Sequence, residues 1–171
     1  ARSFAGFNYV ASLKRLNSEQ IIELYLMDEE QPNAFSLPAQ LEEQIPARIF
    51  ITQGLLRFIN NESELAFVIA HELAHIHYDH FLPDTPATLL TGQQKMARDS
   101  LIRKWELEAD RTARQLLIEA GYNIELASSM LKRLAHLHLN SSNQNELAYT
   151  HPKSDQRIIQ LTMIGDALIY P

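Results

Sequence analysis

The sequence contains no cysteine, which excludes disulfide-stabilised scaffolds, thiol nucleophiles and cysteine-based zinc fingers. Glycine and proline are also scarce, with 5 and 7 among 171 residues, so collagen-like and low-complexity architectures are excluded. No apolar run approaches the roughly 18 residues that a membrane-spanning helix requires. Basic residues are in the minority, 15 against 21 acidic ones, and the net charge of -6 offers no basic surface for a phosphate backbone. We therefore expect no nucleic-acid partner and no membrane span in this chain.

The residues that are present have the composition of an ordinary folded domain. Hydrophobic residues make up 46% and charged residues 21%, close to average globular usage. The length suits one domain with its own core, so we predict a single domain over residues 1–171. Membrane association is expected only through a segment outside this sequence, such as a removed leader or anchor.

The chain divides into short strands followed by helices. Strand-like runs bounded by turn residues occupy residues 21–27, 33–37 and 48–52. Helical periodicity then predicts helices over residues 65–81, 94–120, 123–139 and from 154 onward, with a polar loop at 141–145. Asn61 and Glu64 form a pair typical of a capping box before the first helix, which is apolar on nearly all sides. We predict an α+β fold, mainly helical, with a small N-terminal sheet packed on a helix bundle.

The first predicted helix carries His71-Glu72-Leu73-Ala74-His75. A spacing of four residues places His71 and His75 about 40° apart on one face of a helix, so both can reach one metal ion. Glu72 lies on the adjacent edge, where its carboxylate can act as a general base without being a ligand. Chance alone produces this pattern in about two of a hundred such chains, but burying these groups is costly unless each has a partner. A metal ion would supply that partner.

A catalytic zinc site typically has a third protein ligand, and Glu106 is the best candidate. It falls inside the apolar stripe of the helix predicted over residues 94–120, whereas Glu108 points to the opposite side. Asp110 follows one turn later, where it could accept the outer N–H of a ligating histidine. The alternative is that Glu106 forms a surface ion pair with Arg103 or Arg111.

Two further histidines follow the motif. His77 and His80 point about 160° and 140° away from His75 while the helix continues. Only a break in the helix would let His80 act as a ligand, and we interpret both as surface or packing histidines.

Four blocks of sequence, in this order, carry a resemblance to a known family. They are Asn33-Ala34-Phe35 with the run from Arg48 to Leu56, His71 to His75, Glu106 to Arg111, and Thr150-His151-Pro152 with Asp155 and Arg157. The sequence resembles the gluzincin metallopeptidases of peptidase family M48, which include HtpX, BepA and the CAAX prenyl endopeptidase. The resemblance implies a zincin-like metallopeptidase fold.

The resemblance also implies roles for individual residues. One Zn²⁺ per chain would be bound by His71, His75 and Glu106, with Glu72 as the base and Asp110 in support. His151 would lie close to the metal, either stabilising the oxyanion or closing the open site as a gate. Arg157 would be an oxyanion or structural partner.

The implied function is a zinc-dependent endopeptidase acting on unfolded or misfolded polypeptides in protein quality control. Substrate would lie extended along the edge strand near residues 33–35, and the implied location is the bacterial cell envelope or periplasm. One alternative is a non-proteolytic zinc module, a chaperone or adaptor in which His151 closes the site. Another is a metal-free helical interaction domain.

Overall fold

The computed structural model describes residues 21–83 and 85–140. Three strands within these ranges form one sheet: β1 (Ile22–Met27), β2 (Ala34–Leu37) and β3 (Ala47–Thr52). Their order is β1-β3-β2, with β1 parallel and β2 antiparallel to β3. The strands lie within one residue of their predicted bounds, and β1 and β2 are the two edges of the described sheet.

The two faces of the sheet differ in their side chains. Ala47, Ile49 and Ile51 of β3 are buried toward the core. On the other face Phe50 stacks on Tyr25 and Phe35, its register partners, with ring centroids 5.2 Å and 4.9 Å away. Cross-strand aromatic pairs of this kind stabilise the register of a sheet.

A short helix that the sequence analysis did not predict follows β3. Helix α1 (Gln53–Phe58) begins at Thr52, whose Oγ1 accepts a hydrogen bond from the Leu55 N–H at 3.1 Å. Gly54 permits a close approach of the backbone, because a Cβ at this position would lie 1.9 Å from the Glu30 carbonyl oxygen. Six residues are too few to establish a helical period, which explains why the pattern did not reveal α1.

The remaining helices are α2 (Glu62–His77), α3 (Gly92–Glu119) and α4 (Ile124–Asn140), with a 3₁₀ turn at Ala87–Leu89. The predicted α+β architecture is confirmed at this level, and α3 and α4 lie within two residues of their predicted bounds. The prediction that α2 continues to residue 81 was wrong, because the helix ends at His77. The polar loop at 141–145 and the helix from 154 lie outside the described residues.

Helix α2 lies at the centre of the part of the chain that the structure describes. It contacts α3, α4, β2 and β3, and every residue from 63 to 75 is buried. A helix surrounded by other elements must be apolar around most of its circumference, as the sequence of α2 predicts. Any polar side chain in its middle is therefore removed from water.

The N-terminus of α2 is joined to α4 by an ion pair whose carboxylate is buried. Asn61 caps the helix by accepting the Glu64 N–H at 3.1 Å, while the Glu64 carboxylate accepts the Asn60 N–H at 2.8 Å. The same carboxylate accepts two hydrogen bonds from the Arg133 guanidinium, both at 2.7 Å, and one from the Ser129 hydroxyl. The reciprocal bond of a capping box is therefore displaced by one residue, and Glu64 is available to hold α4 against α2.

No helix among the described residues combines the length and the apolar character needed to cross a bilayer.

Candidate metal centre

The motif residues of α2 lie in its most deeply buried part. His71, Glu72 and His75 are 4%, 2% and 7% exposed, respectively. The helix also carries a fully buried alanine directly before each histidine, Ala70 and Ala74. Because alanine adds little bulk, neighbouring helices can approach α2 closely at this level.

Helix α3 brings two carboxylates to the same place. Glu106 and Asp110 are 2% and 1% exposed, although α3 as a whole is rich in polar residues. Ala109 and Ala113 beside them are completely buried, so α3 presents small side chains and two carboxylates to the core. The burial of Glu106 shows that its interpretation as a surface ion pair with Arg103 or Arg111 was wrong.

Three donor atoms converge between α2 and α3. The Nε2 atoms of His71 and His75 are 3.1 Å apart. Glu106 Oε2 lies 3.5 Å from His71 Nε2, and Glu106 Oε1 lies 3.3 Å from His75 Nε2. Tetrahedral zinc with bonds of roughly 2.0–2.1 Å holds its donor atoms about 3.3 Å apart. The residues present therefore fit a zinc ion in both donor type and spacing.

The second nitrogen of His71 faces Asp110. Asp110 Oδ1 lies 2.9 Å from His71 Nδ1, a distance at which the carboxylate accepts the Nδ1–H. A histidine protonated on Nδ1 has its lone pair on Nε2, the atom that points toward Glu106 and His75. Such outer carboxylates set the tautomer and orientation of metal-binding histidines.

Burial also keeps His75 in the form that can bind a metal. Desolvation lowers the pKa of His75 below its ordinary value, although the contact with Glu106 acts in the opposite direction. The positive charge that His71 would carry lowers the pKa further, whereas the charge of Glu72 raises it. His75 is therefore neutral near pH 7, and neutral imidazole is the species that coordinates metal ions.

Sequence reasoning missed the position of His80. The helix break that the prediction excluded does occur, because α2 ends at His77 and the chain turns back. His80 is buried, with Nδ1 3.2 Å from His75 Nδ1 and Nε2 3.4 Å from Glu108 Oε2. His80 is thus a packing histidine, not a surface one, and Glu108 contacts it despite pointing away from the apolar stripe of α3.

A local signal could have revealed this turn. Asp79 has a positive φ of 54°, its N–H bonds to the Ile76 carbonyl, and the His80 N–H bonds to the His75 carbonyl at 2.9 Å. This pair of bonds is the Schellman motif, which characteristically brings together the side chains of residues five apart. Aspartate tolerates the left-handed conformation better than most residues, so Asp79 between His75 and His80 was the available clue.

The other predicted residues do not join this cluster within the described part of the chain. His77 is exposed, and its ring contacts Tyr78 with centroids 4.8 Å apart. His151 and Arg157 lie outside the described residues. The described cluster therefore comprises His71, Glu72, His75, Glu106 and Asp110, together with His80 and Glu108 on its outer side.

Comparison with known families gives two matches. The family model described as Peptidase family M48 matches residues 6–97, just over half of the chain. The model described as Peptidase U49 matches residues 61–164.

Individual relatives bear protease names. The chain is 26% identical over 164 residues to the Beta-barrel assembly-enhancing protease of Yersinia pestis, covering 78% of this chain and 32% of that protein. It is 38% identical over 84 residues to a Protease HtpX homolog of Sulfurovum sp., covering 48% and 29%. It is 26% identical over 171 residues to the Mitochondrial metalloendopeptidase OMA1 of Arabidopsis thaliana, covering 86% and 33%. The chain spans about a third of the length of these relatives.

Proposed function

Because the chain belongs to peptidase family M48, we propose that it is a zinc-dependent endopeptidase that hydrolyses peptide bonds in unfolded or misfolded proteins. The observation that carries the proposal is the convergence of His71 Nε2, His75 Nε2 and the Glu106 carboxylate at separations of 3.1–3.5 Å in a buried site. We include a zincin-like fold in the proposal, since a small sheet packs on the helix that carries both histidines.

Each residue of the cluster has a distinct task in this proposal. His71, His75 and Glu106 bind the ion, and Asp110 holds the His71 ring in place. A zinc ion bound there would lower the pKa of a coordinated water to about 7 and polarise a carbonyl group. Glu72 is buried and lies between the two histidines in the sequence. It takes the proton from the attacking water and passes it to the leaving amine.

The residues beyond residue 140 enter the proposal through the family resemblance. We assign His151 to stabilising the oxyanion near the metal, or to closing the open site as a gate. Arg157 is assigned to the oxyanion or to a structural contact. Preorganised donors of this kind contribute a large part of the rate enhancement of acyl-transfer enzymes.

The sheet provides a place for an extended polypeptide. Strand β2 is an edge of the described sheet and contacts α2, the helix that carries both histidines. A substrate that adds a strand beside β2 would be held by main-chain hydrogen bonds, which do not depend on side-chain identity. Binding of this type favours unfolded segments, because a folded protein seldom offers an unpaired extended strand.

The proposed location is the bacterial cell envelope. Its support is the likeness to relatives that include a protease named for beta-barrel assembly. The same likeness favours quality control of polypeptides as the process in which the chain acts.

The test compares metal content and proteolysis in one pair of variants. We expect about one zinc per chain by elemental analysis in both the parent and the Glu72→Gln variant, because Glu72 is not a ligand. Cleavage of casein should fall by about 10²–10⁴-fold in Glu72→Gln, the usual contribution of a general base. The exposed Glu62 of the same helix provides the control, and Glu62→Gln should cleave casein like the parent.

Each contrary outcome has a distinct meaning. Retained cleavage in Glu72→Gln would reject Glu72 as the base. Stoichiometric zinc without any cleavage by the parent would favour the non-proteolytic module, and the absence of zinc would favour the metal-free domain.

A further inference from the structure

The two histidines assigned to the metal, His71 and His75, make different contacts at Nδ1. The Nδ1 of His71 faces the Asp110 carboxylate at 2.9 Å. The Nδ1 of His75 instead faces another imidazole, the Nδ1 of His80, at 3.2 Å. His80 thus occupies, beside Nδ1 of His75, the position that the Asp110 carboxylate occupies beside Nδ1 of His71.

The contacts among His75, His80 and Glu108 indicate which nitrogen of each imidazole carries the hydrogen. If His75 presents the lone pair of Nε2 to a metal, its Nδ1 carries the hydrogen and donates to His80 Nδ1. His80 must then be the tautomer protonated on Nε2, which faces Glu108 Oε2 at 3.4 Å. Glu108 accepts that hydrogen, so one consistent pattern runs from His75 through His80 to Glu108.

The surroundings of His80 keep its ring in one orientation. The ring stacks on Trp105 with centroids 5.0 Å apart and an interplanar angle of 13°. The Tyr78 ring also lies nearly parallel to it, at 5.5 Å and 23°. The backbone of His80 is fixed by its bond to the His75 carbonyl at the end of α2. Since ring and backbone are both constrained, His80 can orient its neighbour without first being ordered.

We propose that His80 is a positioning residue for the metal site: it accepts the Nδ1–H of His75 and so fixes the tautomer in which the Nε2 lone pair is available to the metal. Glu108 sets the tautomer of His80 in turn. This inference rests on the proposed function, because it assigns His75 to the metal. Glu108 has the weaker effect of the two, because its side chain is 40% exposed and water can replace it.

The test measures zinc affinity by competition with a chromophoric chelator in four variants. His80→Leu keeps the bulk and removes the acceptor, and we expect its zinc affinity to fall by about 10–100-fold. His80→Asn places an amide oxygen near the position of Nδ1 and should restore most of the affinity. His80→Gln places its amide near the position of Nε2 and should restore less. His77→Leu, which changes an exposed histidine on the same turn, should bind zinc like the parent.

A second measurement reads the contact directly. In long-range ¹H–¹⁵N NMR spectra of the zinc-loaded protein, the His75 Nδ1–H should exchange slowly with solvent in the parent and in His80→Asn, and rapidly in His80→Leu. Far-UV circular dichroism checks that each variant is folded, because the fluorescence of Trp105, the one tryptophan of the chain, would change through the loss of its stacking on His80 alone.

The outcomes separate this inference from the proposed function. Parental zinc affinity and an unchanged exchange rate of the His75 Nδ1–H in a folded His80→Leu variant would overturn the positioning role alone. Equal affinities of His80→Asn and His80→Gln would also overturn it, since the contact to Nδ1 would not matter. A parent that binds no zinc would instead overturn the proposed metal site, and this inference with it.

Discussion

At the scale of single residues, the site consists of buried polar groups whose contacts with one another replace the hydration that they lose on folding. His71, His75 and Glu106 are each nearly inaccessible to water, and a buried charge without a partner is strongly unfavourable. Their donor atoms face one another at distances that suit a divalent cation. The chemistry of the site and the stability of its surroundings therefore depend on the same few atoms.

A first prediction at this scale concerns Glu106. Replacing it with alanine removes the only ligand assigned to α3, so we expect the zinc content of Glu106→Ala to fall well below one ion per chain after dialysis, with loss of casein cleavage. Elemental analysis provides the measurement. Glu119 lies at the exposed end of the same helix, and Glu119→Ala should keep the parental zinc content.

An unchanged metal content in Glu106→Ala would place the third ligand elsewhere. His151, which lies outside the described residues, would then be the next residue to substitute.

At the scale of secondary-structure elements, the position of α2 depends on both of its ends. At the C-terminus the Schellman turn places His80 beside His75. At the N-terminus the Glu64 carboxylate joins the helix to Arg133 of α4 through two hydrogen bonds of 2.7 Å. Arg133 also donates to the Phe58 carbonyl, so the link extends to α1.

The Glu64 link leads to a prediction about acid stability. Desolvation alone would raise the pKa of Glu64, but the hydrogen bonds from Arg133, the Asn60 N–H and Ser129 outweigh it and hold the pKa below the ordinary value of 4.5. A carboxyl group whose pKa is lowered by folding stabilises the folded state above its unfolded pKa, and this stabilisation is lost as the pH falls through the folded pKa. The contribution is therefore complete at neutral pH, begins to decline near the unfolded pKa of about 4.3, and is lost as the pH falls through the lower folded pKa.

Urea unfolding at several pH values tests this. We expect Glu64→Gln to be less stable than the parent by about 2–3 kcal/mol at pH 7, less than the roughly 3–5 kcal/mol of a broken fully buried ion pair, because Arg133 is 32% exposed. The difference should shrink as the pH is lowered below about 4, since protonation of Glu64 in the parent removes the charge that the variant lacks. A difference that stays constant with pH would show that the charge of Glu64 is not the cause.

At the scale of the whole molecule, the proposed metal would connect parts of the chain that are distant in sequence. Its ligands come from α2 and α3, which form the most extensive contact between any two described elements. An ion that binds the folded chain and not the unfolded one stabilises the fold by mass action. Stability and metal content should therefore change together.

Metal removal provides the corresponding prediction. At a free zinc concentration 100 times the Kd, binding contributes about 2.7 kcal/mol, which corresponds to roughly 5–10 °C in Tm for a domain of this size. We expect EDTA to lower the Tm of the zinc-loaded parent by that amount in a calorimetric scan. The Tm of Glu106→Ala should not respond to EDTA, and an equal response in both proteins would assign the effect to another site.

Much of the fold could be predicted because it depends on local pattern. The strands and the bounds of α3 and α4 follow from periodicity and cap residues; Asn123, for example, caps α4, its Oδ1 accepting the Leu126 N–H at 3.0 Å. Helix α1 and the early end of α2 were missed, because each depends on a few residues whose conformation is set by contacts made elsewhere. The contact between Glu108 and His80 was missed for the same reason, because the turn after α2 brings His80 to Glu108.

The sequence by itself determined that His71 and His75 share one face of a buried helix, and that Glu106 and Asp110 lie one turn apart on another. Four-residue spacings translate directly into helix geometry, so no distant contact was needed. Only the tertiary structure decided that these two faces meet with donor atoms 3.1–3.5 Å apart, and that His80 and Glu108 join them from the outside. The physical reason is that the approach of α2 and α3, and the turn that ends α2, depend on the packing of side chains far apart in the sequence.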